Sequence, residues 1–207
     1  MSILEPRTRI QRKNHNAILE AALDVFSQQG FNAATIDRIA AEAGMSKPNL
    51  LYYFPSKDAV FETLMASLLK TWLNPLQSVN AKSNDPVEEI LRYVNRKLQM
   101  SAEMPRQSRL FAHEILDGAP RISNVLRTEL KTLVDEKAAV IAAWVDTGRL
   151  APLDPHHLIF SIWSLTQHYA DFDVQVRAVL GDGRDPFSEA QTHLETMFRR
   201  MLTPTTV

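Results

Sequence analysis

A chain of 207 residues with an apolar fraction of 45% is long enough for one large domain, or for a small domain joined to a larger one. It contains no cysteine, which excludes a disulfide framework and a thiolate metal site and fits a reducing compartment. The formal net charge of -1 excludes a protein that is basic all over, so any nucleic-acid partner has to be met by a local asymmetry of charge.

That asymmetry lies at the start. Residues 1–16 carry Arg7, Arg9, Arg12 and Lys13 against Glu5 alone, which reads as a mobile basic arm able to reach a phosphate backbone or a minor groove. The same composition also describes an ordinary solvated tail. Met1-Ser2-Ile3-Leu4-Glu5-Pro6 lacks a signal-peptide apolar region, and no run of about 18 apolar residues exists to span a membrane. A cytoplasmic protein is expected.

The apolar spacing is helical throughout, with no sustained alternation of period two, so the fold class is all-α with about nine helices. The predicted helices cover 12–29, 36–43, 47–53, 57–79, 86–101, 106–117, 122–147, 155–180 and 187–202. Ile18, Leu19, Ala22, Leu23 and Phe26 recur at helical spacing in the first, which Gly30 closes. Thr35 caps the next helix, with Ile36, Ile39 and Ala40 on its buried face. Gly44 supplies a turn and Ser46 caps a third helix, the arrangement of a helix-turn-helix. Asp85-Pro86 and Asp154-Pro155 each set a capping side chain before a first-turn proline, and Pro75 is expected to kink or end the fourth long helix. Helices are short up to residue 54 and long afterwards. This size shift divides the chain into a DNA-binding domain over 1–56, basic arm included, and a second domain over 57–207.

In the third helix Leu50, Leu51 and Phe54 are expected to anchor the element, leaving Lys47, Asn49, Tyr52 and Tyr53 for its exposed face and ends. An amide, a lysine and two phenols on a short helix suit the major groove of a DNA duplex. Asn49 can read base edges, while Lys47 and the tyrosine hydroxyls bond phosphates or edges. Ser46 and Pro48 belong to the same surface. Thr35 and Lys57, at the starts of the flanking helices, add donors for phosphate, and Arg9, Arg12 and Lys13 extend the contact. For one of the two tyrosines, packing of its ring is an equal expectation, and each lysine taken singly reads as a solvated charge.

In the second domain Trp163 and Gln167 stand four apart on one helix face. A flat heterocycle needs an apolar plane and a few converging polar groups, and a glutamine amide matches the donor and acceptor pair of an imide edge. Trp72, Lys97 and Tyr169 are candidates for other walls. Aromatic residues at this spacing in a bundle also serve as plain core or as a dimer interface. His113-Glu114-Ile115-Leu116-Asp117 lacks the second imidazole of a zinc-protease motif, and neither a phosphate loop nor a nucleophile and base pair is present. An enzyme is not expected, nor a metal or other cofactor. A helical adaptor that binds protein rather than DNA would require the Lys47-to-Lys57 constellation to be accidental.

Phe26-Ser-Gln-Gln-Gly-Phe31, Thr35-Ile-Asp-Arg-Ile-Ala-Ala-Glu-Ala-Gly-Met-Ser46 and Leu51-Tyr-Tyr-Phe-Pro-Ser-Lys57 resemble the signature of TetR-family transcriptional regulators. The resemblance implies a homodimeric repressor of a palindromic duplex operator, with a small DNA-binding head and a ligand-binding bundle that dimerises through its last two helices. Trp72-Leu-Asn-Pro-Leu76, Ser108-Arg-Leu-Phe111, Asp135-Glu-Lys137, Leu150-Ala-Pro-Leu-Asp-Pro155 and Gln167-His-Tyr-Ala-Asp-Phe172 are similar to the pyrimidine-utilisation branch of that family. This likeness implies that uracil or thymine is the effector; a ligand that selects one dimer shape would take the two heads out of register with successive grooves, so release of the DNA is expected. A different planar or hydrophobic effector is the alternative. Pro48 stands where that branch is expected to carry threonine, which sets a shared operator in question.

Overall fold

The computed structural model describes residues Thr8–Pro204, and every element in them is helical. In chain order these are α1 (Arg9–Ala33), α2 (Ile36–Glu42), α3 (Lys47–Tyr53), α4 (Lys57–Gln77), α5 (Pro86–Glu103), α6 (Pro105–Leu116) and α7 (Ser123–Val125). A π-helical turn at Leu126–Leu130 leads into α8 (Lys131–Asp146), followed by α9 (Pro155–Asp171), α10 (Asp173–Leu180) and α11 (Pro186–Leu202).

The first helix corrects one expectation. Thr8 Oγ1 accepts the Gln11 N–H at 3.1 Å while Gln11 Oε1 accepts the Thr8 N–H at 3.1 Å, and this reciprocal cap starts α1 at Arg9. Arg9, Arg12 and Lys13 therefore stand on the first turns of a helix rather than on a mobile arm; Arg7 lies outside the described residues. At the other end Gly30 has φ 71° and ψ 171°, so the helical path breaks where the sequence marks a stop, at a conformation that side chains disfavour.

Contacts divide the chain into two compact units. One holds the residues up to Thr71 together with Arg109–Ser123; the other holds Trp72–Ser108 and the residues from Asn124 onward. The sequence-derived boundary at 56/57 falls inside the first unit, to which most of α4 and most of α6 also belong.

Within the first unit, Ile18, Leu23 and Phe26 of α1 meet Ile39, Leu50, Phe54 and Phe61, all at most 2% exposed. Phe26, Phe31 and Phe61 form a three-ring cluster with centroids 5.1 to 5.7 Å apart. Each such side chain contributes about 1.5–3 kcal/mol by leaving water. Arg121 closes over the cluster with its guanidinium carbon 3.4 Å from the Phe31 centroid. Glu114, 3% exposed, accepts the Arg121 backbone N–H at 2.8 Å and its Nη1 at 3.0 Å.

The second unit packs α5 against α9 and α11. Its core includes Ile90, Leu91, Val94, Ile141, Trp144, Ile159, Ile162, Leu194 and Phe198. Asp85, Asp154 and Asp185 cap α5, α9 and α11, each followed by a proline in the first turn. Two predicted long helices are interrupted. The segment 122–147 contains the π turn, and 155–180 breaks at Phe172 (φ -114°, ψ 27°), where neither glycine nor proline gives a signal. Asp171, the residue before the break, accepts a hydrogen bond from the Ser108 hydroxyl of α6, a tertiary tie that local sequence does not encode. Pro75 does not break α4, which runs on to Gln77 before ending.

Candidate DNA interface and effector site

The helix-turn-helix is built as its caps dictate. Thr35 Oγ1 accepts the Arg38 N–H at 3.2 Å, Ser46 Oγ accepts the Asn49 N–H at 3.4 Å, and Gly44 makes the turn at φ 66°. The inner face of α3 is Leu50, Tyr53 and Phe54, spaced i, i+3 and i+4 and at most 4% exposed. Two expectations are thereby corrected. Tyr53 faces the core, with Oη accepting the Asn14 amide at 2.9 Å, and Leu51 is only half-buried. The helical period explains the exchange, because residue 53 shares a face with residue 50 and residue 51 does not. The outer face presents Lys47, Pro48, Asn49 and Tyr52, the last 57% exposed.

Two of the lysines are already engaged. Lys47 Nζ lies 2.9 Å from Asp37 Oδ2, with both side chains largely in solvent. Lys57 Nζ donates to the carbonyls of Phe31 and Ala34, both at 2.8 Å, and sits 4.2 Å from the Phe31 centroid. Two of its three donors therefore satisfy orphan carbonyls at the end of α1 instead of standing clear for phosphate. Asp37 and Asn14 escaped the sequence reading. Asp37 sits ten residues before Lys47 on the neighbouring helix, and no local pattern pairs them.

In the second unit, α5 and α9 bring most of the proposed effector residues together. Trp163 Nε1 donates to the Tyr93 phenol oxygen at 2.6 Å. One turn along α5, Lys97 is 4% exposed and its ammonium lies 4.4 Å over the Trp72 ring, a cation–π contact strengthened by desolvation. Burial pushes the Lys97 ammonium down to about 8, against which the Asp171 carboxylate acts. Burial likewise raises the Tyr93 phenol, and the Trp163 hydrogen bond opposes that only in part; the phenol stays neutral. Trp163, Gln167 and Asp171 form an i, i+4, i+8 row on α9, so Gln167 lies between the Tyr93 and Lys97 links. No hydrogen bond among the described residues engages its amide, which leaves both of its ends available.

Tyr169 is not part of this group. Two residues beyond Gln167 it turns to another face of α9, its ring 6.2 Å from Phe187. There it lines an open cleft of about 460 Å³ with His168, Val176, Pro186 and His193. Tyr93, Ser108 and Asp171 were the residues that sequence spacing missed. Tyr93 lies one turn before Lys97, which was the available signal; the other two are brought in by tertiary contacts.

Residues 18–64 match the family described as bacterial regulatory proteins, tetR family, and residues 65–205 match the YcdC-like protein, C-terminal region. The chain belongs to the TetR family of transcriptional regulators. It is 50% identical over 175 residues, 84% of this chain and 82% of the relative, to the HTH-type transcriptional regulator RutR of Escherichia coli K12, and equally to that of Shigella flexneri. Its fold is similar to the ketosteroid transcriptional regulator KstR2 of Mycobacterium tuberculosis (TM-score 0.75, 19% identity, 97% of this chain and 98% of that one). AibR in complex with isovaleryl coenzyme A and operator DNA is comparably close in fold (TM-score 0.74, 18% identity, 93% and 100%). As a member of the family the chain is a DNA-binding regulator and not an enzyme. None of its described helices is long and apolar enough to cross a membrane.

Proposed function

We propose that this TetR-family chain is a homodimeric repressor that binds a palindromic operator and is released from it by uracil or thymine. The observation that carries the effector reading is the convergence of Trp72, Lys97, Tyr93, Trp163 and Gln167 in one unit. It provides aromatic planes, one cationic donor and one free amide for a flat imide. The sequence likeness to the pyrimidine-utilisation branch supports the same ligand.

Dimerisation through α9 to α11 is supported by the exposed apolar residues on those helices. Phe160, Phe172, Val174, Val179 and Met201 are 41 to 84% exposed, more apolar surface than a solvated face needs, and an isologous patch buries it against its own copy. Two symmetry-related α3 helices would then enter successive major grooves on one side of the duplex.

Fluorescence anisotropy of a preformed operator complex tests the reading. Uracil or thymine is expected to lower operator affinity about 100-fold, or about 2.7 kcal/mol of coupling. No change at millimolar base removes the effector assignment and leaves the regulator intact. A monomer by sedimentation at micromolar concentration removes the dimer.

A further inference from the structure

The inference drawn here rests on the pyrimidine reading and concerns how the site tells one base from another. Lys97 is an ammonium buried to 4% exposure against the face of Trp72. A buried ammonium sheds its proton unless an anion compensates it. The charged groups on the surrounding helices are mostly committed elsewhere. Glu89 holds Arg92 and the Asn80 N–H, Arg96 pairs with Glu103, and Glu195 accepts from the Asn95 amide at 2.6 Å. Tyr93 is a neutral phenol occupied by Trp163, and His168 and His193 line the separate cleft with Tyr169. Asp171 ends the α9 row of Trp163 and Gln167, which the Trp163–Tyr93 bond sets against α5 one turn before Lys97, and its negative charge favours the ammonium; it also accepts the Ser108 hydroxyl from the first turn of α6.

We propose that Asp171 is a positioning residue that sets base specificity: its carboxylate keeps Lys97 a charged donor over the Trp72 face, and its bond to Ser108 holds that carboxylate in place. The chemistry follows from the donor inventory. An ammonium has three donors and no acceptor, whereas a neutral amine can also accept. A charged Lys97 therefore takes the carbonyl oxygen of an imide such as uracil and rejects an exocyclic amino group in the same position, as in cytosine. A neutral Lys97 loses that discrimination. Specificity of this kind arises because the wrong base leaves a desolvated donor facing another donor.

The test uses full-length protein, calorimetric titration with uracil and with cytosine from pH 6 to 9.5, and NMR of lysine ε-carbons to follow Lys97 directly. The wild type is expected to prefer uracil, with the preference fading above about 8 as Lys97 deprotonates. Asp171→Asn is expected to move both the Lys97 midpoint and the loss of preference down by about one pH unit or more. Uracil binding at pH 7.5 then weakens about 3-fold for a shift of one unit, and more for a larger one, and recovers near pH 6. Asp171→Glu is expected to restore the wild-type profile. The proposal is overturned if Asp171→Asn leaves the Lys97 midpoint in place, or if it weakens uracil equally at every pH, as loss of a merely structural contact would. If the wild type binds neither base, the pyrimidine reading fails and base specificity falls with it, while the ligand-free Lys97 midpoint in the Asn variant still decides whether Asp171 holds the Lys97 charge.

Discussion

Trp163 and Tyr93 are joined across α9 and α5 by a 2.6 Å hydrogen bond from the indole Nε1–H to the phenol oxygen. The phenol is 3% exposed, so water cannot readily replace either partner. Tyr93→Phe removes the acceptor and leaves the indole donor unanswered, a loss of about 1–3 kcal/mol. Chemical denaturation of the variant is expected to show it. Operator affinity without effector is expected to stay within a few-fold of wild type, because the proposed DNA-reading residues lie in the other unit.

Lys97 has the opposite effect on stability. Its ammonium titrates near 10.5 when unfolded and at about 8 in the native state, so the folded protein binds fewer protons between those values. The penalty is present in full below about pH 8 and is relieved as pH rises toward 10.5. Lys97→Met is therefore expected to stabilise the protein at pH 7, by up to about 3 kcal/mol, with the gain shrinking above pH 8. The same variant is expected to lose the response to uracil. Denaturation across pH 6 to 10, with operator release measured in parallel, checks both.

Arg121→Ala uncovers the Phe31 ring and leaves Glu114, whose side chain is 1% exposed, without its cation. A broken buried pair costs about 3–5 kcal/mol; partial exposure of Arg121 puts the expectation at the lower end. Arg121→Ala combined with Glu114→Gln is expected to recover part of the loss. A double variant no more stable than the single one would show that the cost comes from lost stacking on Phe31 and not from the unpaired carboxylate.

On the DNA face, Asn49→Ala is expected to relax preference at particular base pairs. Lys47→Ala is expected to weaken all sequences alike and to reduce the salt slope by about 1. Asp37→Asn frees Lys47 from its 2.9 Å partner and is expected to tighten binding at low salt. Tyr53→Phe is expected to lower head stability through the lost Asn14 bond while leaving operator choice unchanged. Anisotropy titrations at several salt concentrations separate these effects.

The helical fold was legible because period, caps and glycine stops agree along most of the chain. Thr35, Ser46, Asp85 and Asp154 each cap the helix assigned to them. What could not be read depends on contacts distant in sequence. Ser108 and Asp171 are 63 residues apart, and the break after α9 carries no local marker. Tyr52 and Tyr53 look alike as residue types; only the position of Leu50 and Phe54 on the packed face decides which phenol is buried. The candidate effector site was half legible. Trp163 and Gln167 share a visible spacing, but their link to Lys97 passes through Tyr93 and Asp171, which only the packing of α5 on α9 supplies.

The division of labour on α3 has an evolutionary consequence. Pro48, Asn49 and Tyr52 point outward, while Leu50, Tyr53 and Phe54 hold the helix to the head. On the proposed DNA interface these positions, with Lys47 beside them, would act as a replaceable reading cassette, since changing them disturbs little buried packing. With α3 as the reading helix, a lineage would move to a new operator by drift at these positions without first acquiring a compensating stabilising change elsewhere, and an engineered regulator would be redirected by substitutions on the same face.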